Sequence, residues 1–228
     1  MHASDTVHRR YTRVAIILHW TIAALILANL LIGPVMEWVK GATYLFLFRT
    51  HESFGITVLL LSLVRVVWRL THRPPPFDPQ MSRLEKTAAH SVHLGLYVLM
   101  IVMPLVGWAI VSANPPATAD GRKSAEIASQ TIEKTTGQKV QFRAGQPVFY
   151  LYGTIPWPVI SPIRSMGETP DGVIRQLDLH EQFVVAHIVG ALILLGLALL
   201  HIAGALKHQL IDRQPELARM GLGRMRKR

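Results

Sequence analysis

Four histidines near the end of the chain, His180, His187, His201 and His208, follow one another at offsets of 7, 14 and 7 residues. At about 100° per residue a step of seven drifts by only about 20°, so on a helix all four point to nearly the same side. His187 and His201 fall inside an apolar run over residues 183–206, long enough to cross a bilayer. Ionisable side chains inside hydrocarbon are rare and mark function by default. Imidazoles placed there are suited to gripping a metal or a haem iron, or to passing protons.

The elements that must position these rings are legible in the composition. Half of the 228 residues are hydrophobic and the mean hydropathy is +0.30. Four apolar runs predict membrane-crossing helices over about residues 13–36, 50–70, 88–111 and 182–208. The predicted fold is an all-α membrane protein, a four-helix transmembrane bundle with up-down connectivity, formed by residues 1–228 as a single domain. Arg65 interrupts the second run. Pro104 is expected to kink the third, with Gly107 easing the bend. The first connection, 37–49, is aromatic, and the second, 72–83, is proline-rich. The third, 114–179, is a long outer loop. Its polar part, 117–144, has room for a short helix around 124–133. Its aromatic, proline-rich part, 146–163, is expected to lie against the membrane face and cap the outer end of the bundle.

Charge sets the orientation. Of the 24 basic and 14 acidic residues, 15 and five fall on the side of the two termini, which leaves nine of each on the other side. This positive-inside pattern predicts that both termini are cytoplasmic, with residues 212–228 as a basic cytoplasmic tail. Residues 221–228 of it read as a disordered segment near anionic lipid. The net charge of +10 is thereby assigned to membrane topology, with no nucleic acid as partner. No signal peptide is evident: the first apolar run is too long and lacks a small-residue cleavage site. Cysteine is absent, so thiolate-held clusters, thiolate haem ligation and covalent c-type attachment are excluded.

Depth then sorts the histidines. At 1.5 Å per residue His19, His93 and His201 each lie about 9–10 Å inside the cytoplasmic edge, with His90 and His208 nearer that surface. His51 and His187 lie about 27–30 Å from it, near the outer side, and His180 lies at the outer rim. One helix therefore carries His187 and His201, and each finds a level-matched ring on another span: His51 for the first, His19 or His93 for the second. Paired imidazoles across a narrow bundle clamp a haem iron from both faces. Gly55, four residues after His51, and Gly190, three after His187, would let a porphyrin lie close. A hydrogen-bonded interior ring is the alternative for any single histidine. Two pairs at two depths sharing a helix argue against it for the four. Arg65 either snorkels to the interface or pairs with a haem propionate.

The residues Arg13-x5-His19-Trp20, His51-x3-Gly55, Arg65, Ala89-His90-x2-His93, Pro104-x2-Gly107 and His187-x13-His201, ending in Ala205-Leu206-Lys207-His208, resemble the bacterial cytochrome b561 family across all four spans. The same superfamily includes the cytochrome b subunits of hydrogenases. The resemblance implies two haem b groups in the bacterial inner membrane, one held by His19 and His201, the other by His51 and His187. It leaves His93 and His208, with His90 nearby, as candidates for a quinone site at the cytoplasmic face. Some members are similar to superoxide oxidases, which take electrons from superoxide and reduce ubiquinone. The long outer loop and the additional His180 depart from a compact member.

The expected activity is electron transfer from an outer-side donor, superoxide among them, to ubiquinone. Lys40 and Arg49 would attract an anionic donor. The alternative within redox chemistry is an electron-relay or anchor subunit for a dehydrogenase or hydrogenase, with the outer loop as docking surface for a redox partner protein. An alternative of another class is a histidine-lined metal or proton transporter without haem, which needs carboxylates in the spans. Glu52 is the one candidate.

Overall fold

The computed structural model describes residues 10–77, 79–139 and 149–223. In chain order its elements are α1 (Arg13–Met36), α2 (Gly41–Thr71), α3 (Arg83–Ser112), α4 (Ala119–Thr136), β1 (Phe149–Leu151), β2 (Ile155–Trp157), α5 (Ser161–Arg164), a 3-10 turn (Ser165–Glu168), α6 (Pro170–Leu210) and α7 (Glu216–Arg219). Helices α1, α2, α3 and α6 are long and apolar enough to cross a membrane. The predicted four-helix membrane fold is therefore present.

The helices run further than the hydropathy alone indicated. α2 begins at Gly41, so most of the aromatic stretch expected as a connection is helical, and the turn shortens to residues 37–40. α6 begins at Pro170, so the last ten residues of the expected outer loop belong to this helix and His180 sits well inside it. Neither Pro34 nor Pro104 ends its helix.

The chain divides into two compact units. One comprises Met1–Leu31, Thr57–Val102 and Ala191–Arg228. Its core is Ile22, Val58 and Met100, packed with Leu25, Ile26, Leu61 and Tyr97. The segment after α6 is not a free tail within the described residues. Ala218 and Arg219 are buried, the Trp20 indole donates to the Met220 carbonyl at 2.9 Å, and Arg219 Nη2 donates to the Pro76 carbonyl at 2.6 Å. Gly221, at φ 87°, lies against Ile16, and a Cβ there would stand 3.2 Å from Ile16 Cγ2. The expectation of a disordered segment from residue 221 is thus corrected for 221–223, which backbone turns and the contact with α1 hold in place. Residues 224–228 lie outside the described residues.

The other unit comprises Ile32–Ile56 and Met103–Gly190. Its polar helix α4 starts at an N-cap, where Thr118 Oγ1 accepts from Gly121 N–H at 3.1 Å, and ends at Gly137 in the left-handed region. Gly121, Ser124, Ala125 and Ala128 form its buried face. The aromatic segment is a two-stranded antiparallel hairpin, with Phe149 opposite Trp157. It is tied to the long helices through their buried serines: Tyr152 N–H donates to Ser53 Oγ at 2.8 Å and Ile160 N–H to Ser112 Oγ at 3.0 Å. The Trp108 indole donates to the Pro158 carbonyl at 2.8 Å. The segment therefore packs on the flank of α2 at Ser53 and over the end of α3 at Ser112, rather than on helix ends alone; residues 140–148 lie outside the described residues.

Ser112 is fully buried, and Ser112→Ala would leave the Ile160 N–H without an acceptor. An unpaired buried amide costs about 1–3 kcal/mol. The expected result is faster hydrogen exchange around Ile160 and a lower unfolding temperature, with the cap loosening first.

Candidate functional site

The first unit gathers His19 from α1, Arg65 from α2, Tyr97 and His93 from α3, and His201 from α6. The His19 and His201 ring centroids are 6.0 Å apart, with the ring planes at 73°. An imidazole nitrogen binds a first-row metal at about 2 Å and lies about 1.1 Å from its ring centroid, so two axial imidazoles on one iron stand about 6.2 Å apart, centroid to centroid. The pair has that separation. His93 lies 5.0 Å from His201, closer than two ligands on opposite faces of a porphyrin stand, and its Nδ1 is 2.6 Å from the Ala89 carbonyl. Geometry therefore supports His201 as the partner of His19 and speaks against a His93–His201 pair.

Arg65 points inward rather than to the interface. Its Nε donates to the Tyr97 hydroxyl at 3.2 Å, its Nη2 lies 3.2 Å from His19 Nδ1, and its guanidinium carbon sits 5.8 Å from the Tyr97 ring centroid. Its Nη1 is buried with no hydrogen-bond partner among the described residues. A buried guanidinium nitrogen without an acceptor is costly, and a carboxylate would satisfy it.

The second unit gathers Gly33 from α1, His51 and Gly55 from α2, Gly107 from α3, and His187 from α6. The His51 and His187 centroids are also 6.0 Å apart, with the planes at 67°. Two glycines face these rings. A Cβ at Gly33 would lie 3.8 Å from His51 Cε1, and one at Gly107 would lie 3.4 Å from His187 Cε1. Gly107 thus leaves space beside the His187 ring, besides any easing of the Pro104 bend. Gly190 does not serve as expected: a Cβ there would run into the Met103 sulfur, so this glycine admits Met103. Gly55 is half-buried, one turn beyond His51. His180 is half-buried and makes no ring contact with either pair among the described residues.

These residues fit a haem in each unit. Each pair has the axial spacing, the second has glycine walls where a flat macrocycle needs them, and the first has an unsatisfied cation for a propionate.

His90 and His208 of the first unit make no ring contact with the pair among the described residues. His90 is exposed, with Nδ1 2.7 Å from the Lys86 carbonyl and its ring edge-on to Phe77. His208 Nδ1 lies 2.7 Å from Asp212 Oδ2. Lys207 Nζ donates to Asp212 Oδ2 at 2.9 Å and also to Glu85 Oε1. The bond from Lys207, foremost, holds the Asp212 carboxyl below its ordinary value of 3.8, and that from His208 adds to it. A depressed folded value means that this stabilisation is present above 3.8 and disappears as pH falls through the folded value.

Sequence reasoning missed Gly33 and Tyr97. Gly33 had a readable signal, because it lies 20 residues past Arg13, about 30 Å along α1 and so level with His51 and His187. Tyr97 had none, since its role depends on which way Arg65 turns.

A family model described as "Prokaryotic cytochrome b561" matches residues 10–223. Among curated proteins the chain is 29% identical over 120 residues to "Cytochrome b561 homolog 2" of Escherichia coli (strain K12), covering 50% of this chain and 58% of that protein. It is 27% identical over 105 residues to "Probable superoxide oxidase CybB" of Yersinia pestis, covering 46% and 60%. It is 34% identical over 108 residues to "Cytochrome b562" of Cereibacter sphaeroides, covering 42% and 63%. The chain thus spans about six-tenths of the length of the curated relatives it matches.

Proposed function

This chain belongs to the prokaryotic cytochrome b561 family, and from that premise we propose that it is a dihaem b-type cytochrome of the bacterial inner membrane. It carries electrons from an outer-side donor to ubiquinone, acting as one cytochrome domain with both termini cytoplasmic. The observation that carries this reading is the presence, in each compact unit, of an imidazole pair at 6.0 Å.

Haem b would supply a one-electron iron couple where each imidazole pair held it. The chain does the rest. His19 with His201 and His51 with His187 would hold the two groups, and the apolar helices around them would exclude water. Arg65, tethered by Tyr97, offers Nη1 to a propionate of the cytoplasmic-side group. His93 and His208, with His90 nearer the surface, serve the quinone at the cytoplasmic face. Superoxide is the donor we propose, supported by the likeness to a protein named probable superoxide oxidase, with Lys40 and Arg49 as basic residues on the outer side. A haem-free transporter would need carboxylates in the spans, and its candidate, Glu52, lies toward one end of α2 beside His51.

The test is haem quantification on the purified protein, followed by stopped-flow mixing with superoxide and a ubiquinone analogue. The expected result is two haems per chain, reduced by superoxide above the spontaneous background and reoxidised by quinone. Haems inert toward superoxide, together with a copurifying dehydrogenase or hydrogenase, would make the chain a relay subunit. A colourless protein would remove the cytochrome reading altogether. Since the chain has no cysteine of its own, single cysteines placed near either terminus report which side of the membrane they face.

A further inference from the structure

Beyond α6, which ends at Leu210, the chain turns back on itself and places Asp212 beside His208. The turn is closed by backbone bonds, Asp212 N–H to the Lys207 carbonyl at 3.2 Å and Gln214 N–H to the His208 carbonyl at 2.8 Å. A carboxylate there opposes the helix macrodipole, which favours cations at a C-terminus. The position is held by two specific partners. Lys207 Nζ bridges Asp212 and Glu85, and Glu85 is itself anchored by the Ser82 N–H at 2.8 Å and the Ser82 hydroxyl at 2.9 Å. The His208 side chain is 15% exposed and that of Asp212 27%, so the ring is largely screened while the carboxylate reaches the surface. The charged groups gathered around the His208 ring are Asp212 and Lys207 at the end of α6 and Glu85 from α3. An ionised carboxylate only accepts, so the His208 nitrogen facing it, Nδ1, carries the proton. Nε2 is then the nitrogen left to face a second molecule.

We propose that Asp212 is a positioning residue for quinone reduction, acting through His208 by fixing the proton on Nδ1 and presenting Nε2 to the quinone oxygen. This rests on the reading of His208 as part of the quinone site. Reduction of the quinone to quinol takes two electrons from the one-electron donor and two protons. One proton leaves Nε2 of the doubly protonated ring, the N–H bond breaking as the quinone O–H forms. The ring, now neutral, takes its replacement from cytoplasmic water, and the same route delivers the second proton. Lys207, tied to Glu85, keeps Asp212 ionised and in place. It also bridges the two carboxylates of the Glu85, His208 and Asp212 cluster.

The test compares wild type with Asp212→Ala, Asp212→Asn, His208→Ala and the Asp212→Ala/His208→Ala double variant, all as haem-loaded protein, with a short-tailed ubiquinone analogue. Asp212→Ala is expected to lower kcat for quinone reduction about tenfold. It should leave the haem spectrum and the single-turnover rate of haem reduction by the donor unchanged. The double variant should be no slower than His208→Ala alone, because the two residues act as one unit. The isosteric Asp212→Asn should fall between, since an amide does not dictate which ring nitrogen holds the proton; it also serves if the alanine variant does not fold. Wild-type turnover matched by both Asp212 variants overturns this inference alone, as do multiplicative effects in the double variant. A wild type that accepts electrons and passes none to quinone overturns the proposed function, and this inference with it.

Discussion

His187→Ala is expected to halve the haem content, from two groups per chain to one. The ring it removes stands 6.0 Å from His51, the axial spacing, and no other histidine ring contacts that pair among the described residues. The remaining group should keep its spectrum and potential, because His19 and His201 belong to the other compact unit. Donor-driven reduction should fall by at least about a hundredfold, the upper end of what loss of a mere supporting partner costs. His51→Ala should behave alike. His180→Ala should retain both groups, although it occupies the same helical stripe one heptad earlier. Pyridine haemochrome quantification with reduced-minus-oxidised spectra reads all three. Two haems retained in both His51→Ala and His187→Ala would refute the pairing.

Gly107→Leu is the second large effect. The Cβ it adds would stand 3.4 Å from His187 Cε1, and the isobutyl group beyond it has to enter the space beside the ring. That space is where the proposed His51–His187 pair would hold its macrocycle. The variant should fold, since leucine is favoured over glycine within a helix by up to about 1 kcal/mol, yet it should carry a single haem. Gly107→Ala needs only a few tenths of an ångström of movement and should keep both groups, with a shifted potential in one. Gly204→Leu is the control: a Cβ there meets nothing within 4 Å, and both haems should remain. If Gly107→Leu binds two haems with wild-type spectra, the glycine wall has no bearing on the cofactor.

The histidine pairs were legible because two simple periodicities converge on them. Seven-residue spacing fixes the face and 1.5 Å per residue fixes the depth, and neither depends on tertiary detail. Depth did not choose between His93 and His201, because both rings lie at one level; the family resemblance pointed to His201, and its 6.0 Å ring separation from His19 fits that choice. The direction of Arg65 was hidden for a related reason. A long cation can reach either way, and the Tyr97 hydroxyl that captures it comes from another helix. The strands of the cap are three residues each, and one contains Pro156, so no alternation could develop. The end of the chain misled by composition. Its basic residues and glycines suggest a solvated tail, whereas Ala218 and Arg219 are buried by contacts with segments some 140 to 200 positions away.

Helix α6 supplies one imidazole to each proposed pair. Neither pair is complete while only α1, α2 and α3 have entered the bilayer. Maturation of the cytochrome must then wait for insertion of the fourth span, and a ribosome stalled before it would leave a product able to offer iron a single axial bond per site. Pulse-labelled nascent chains should accordingly acquire colour in one late step rather than span by span.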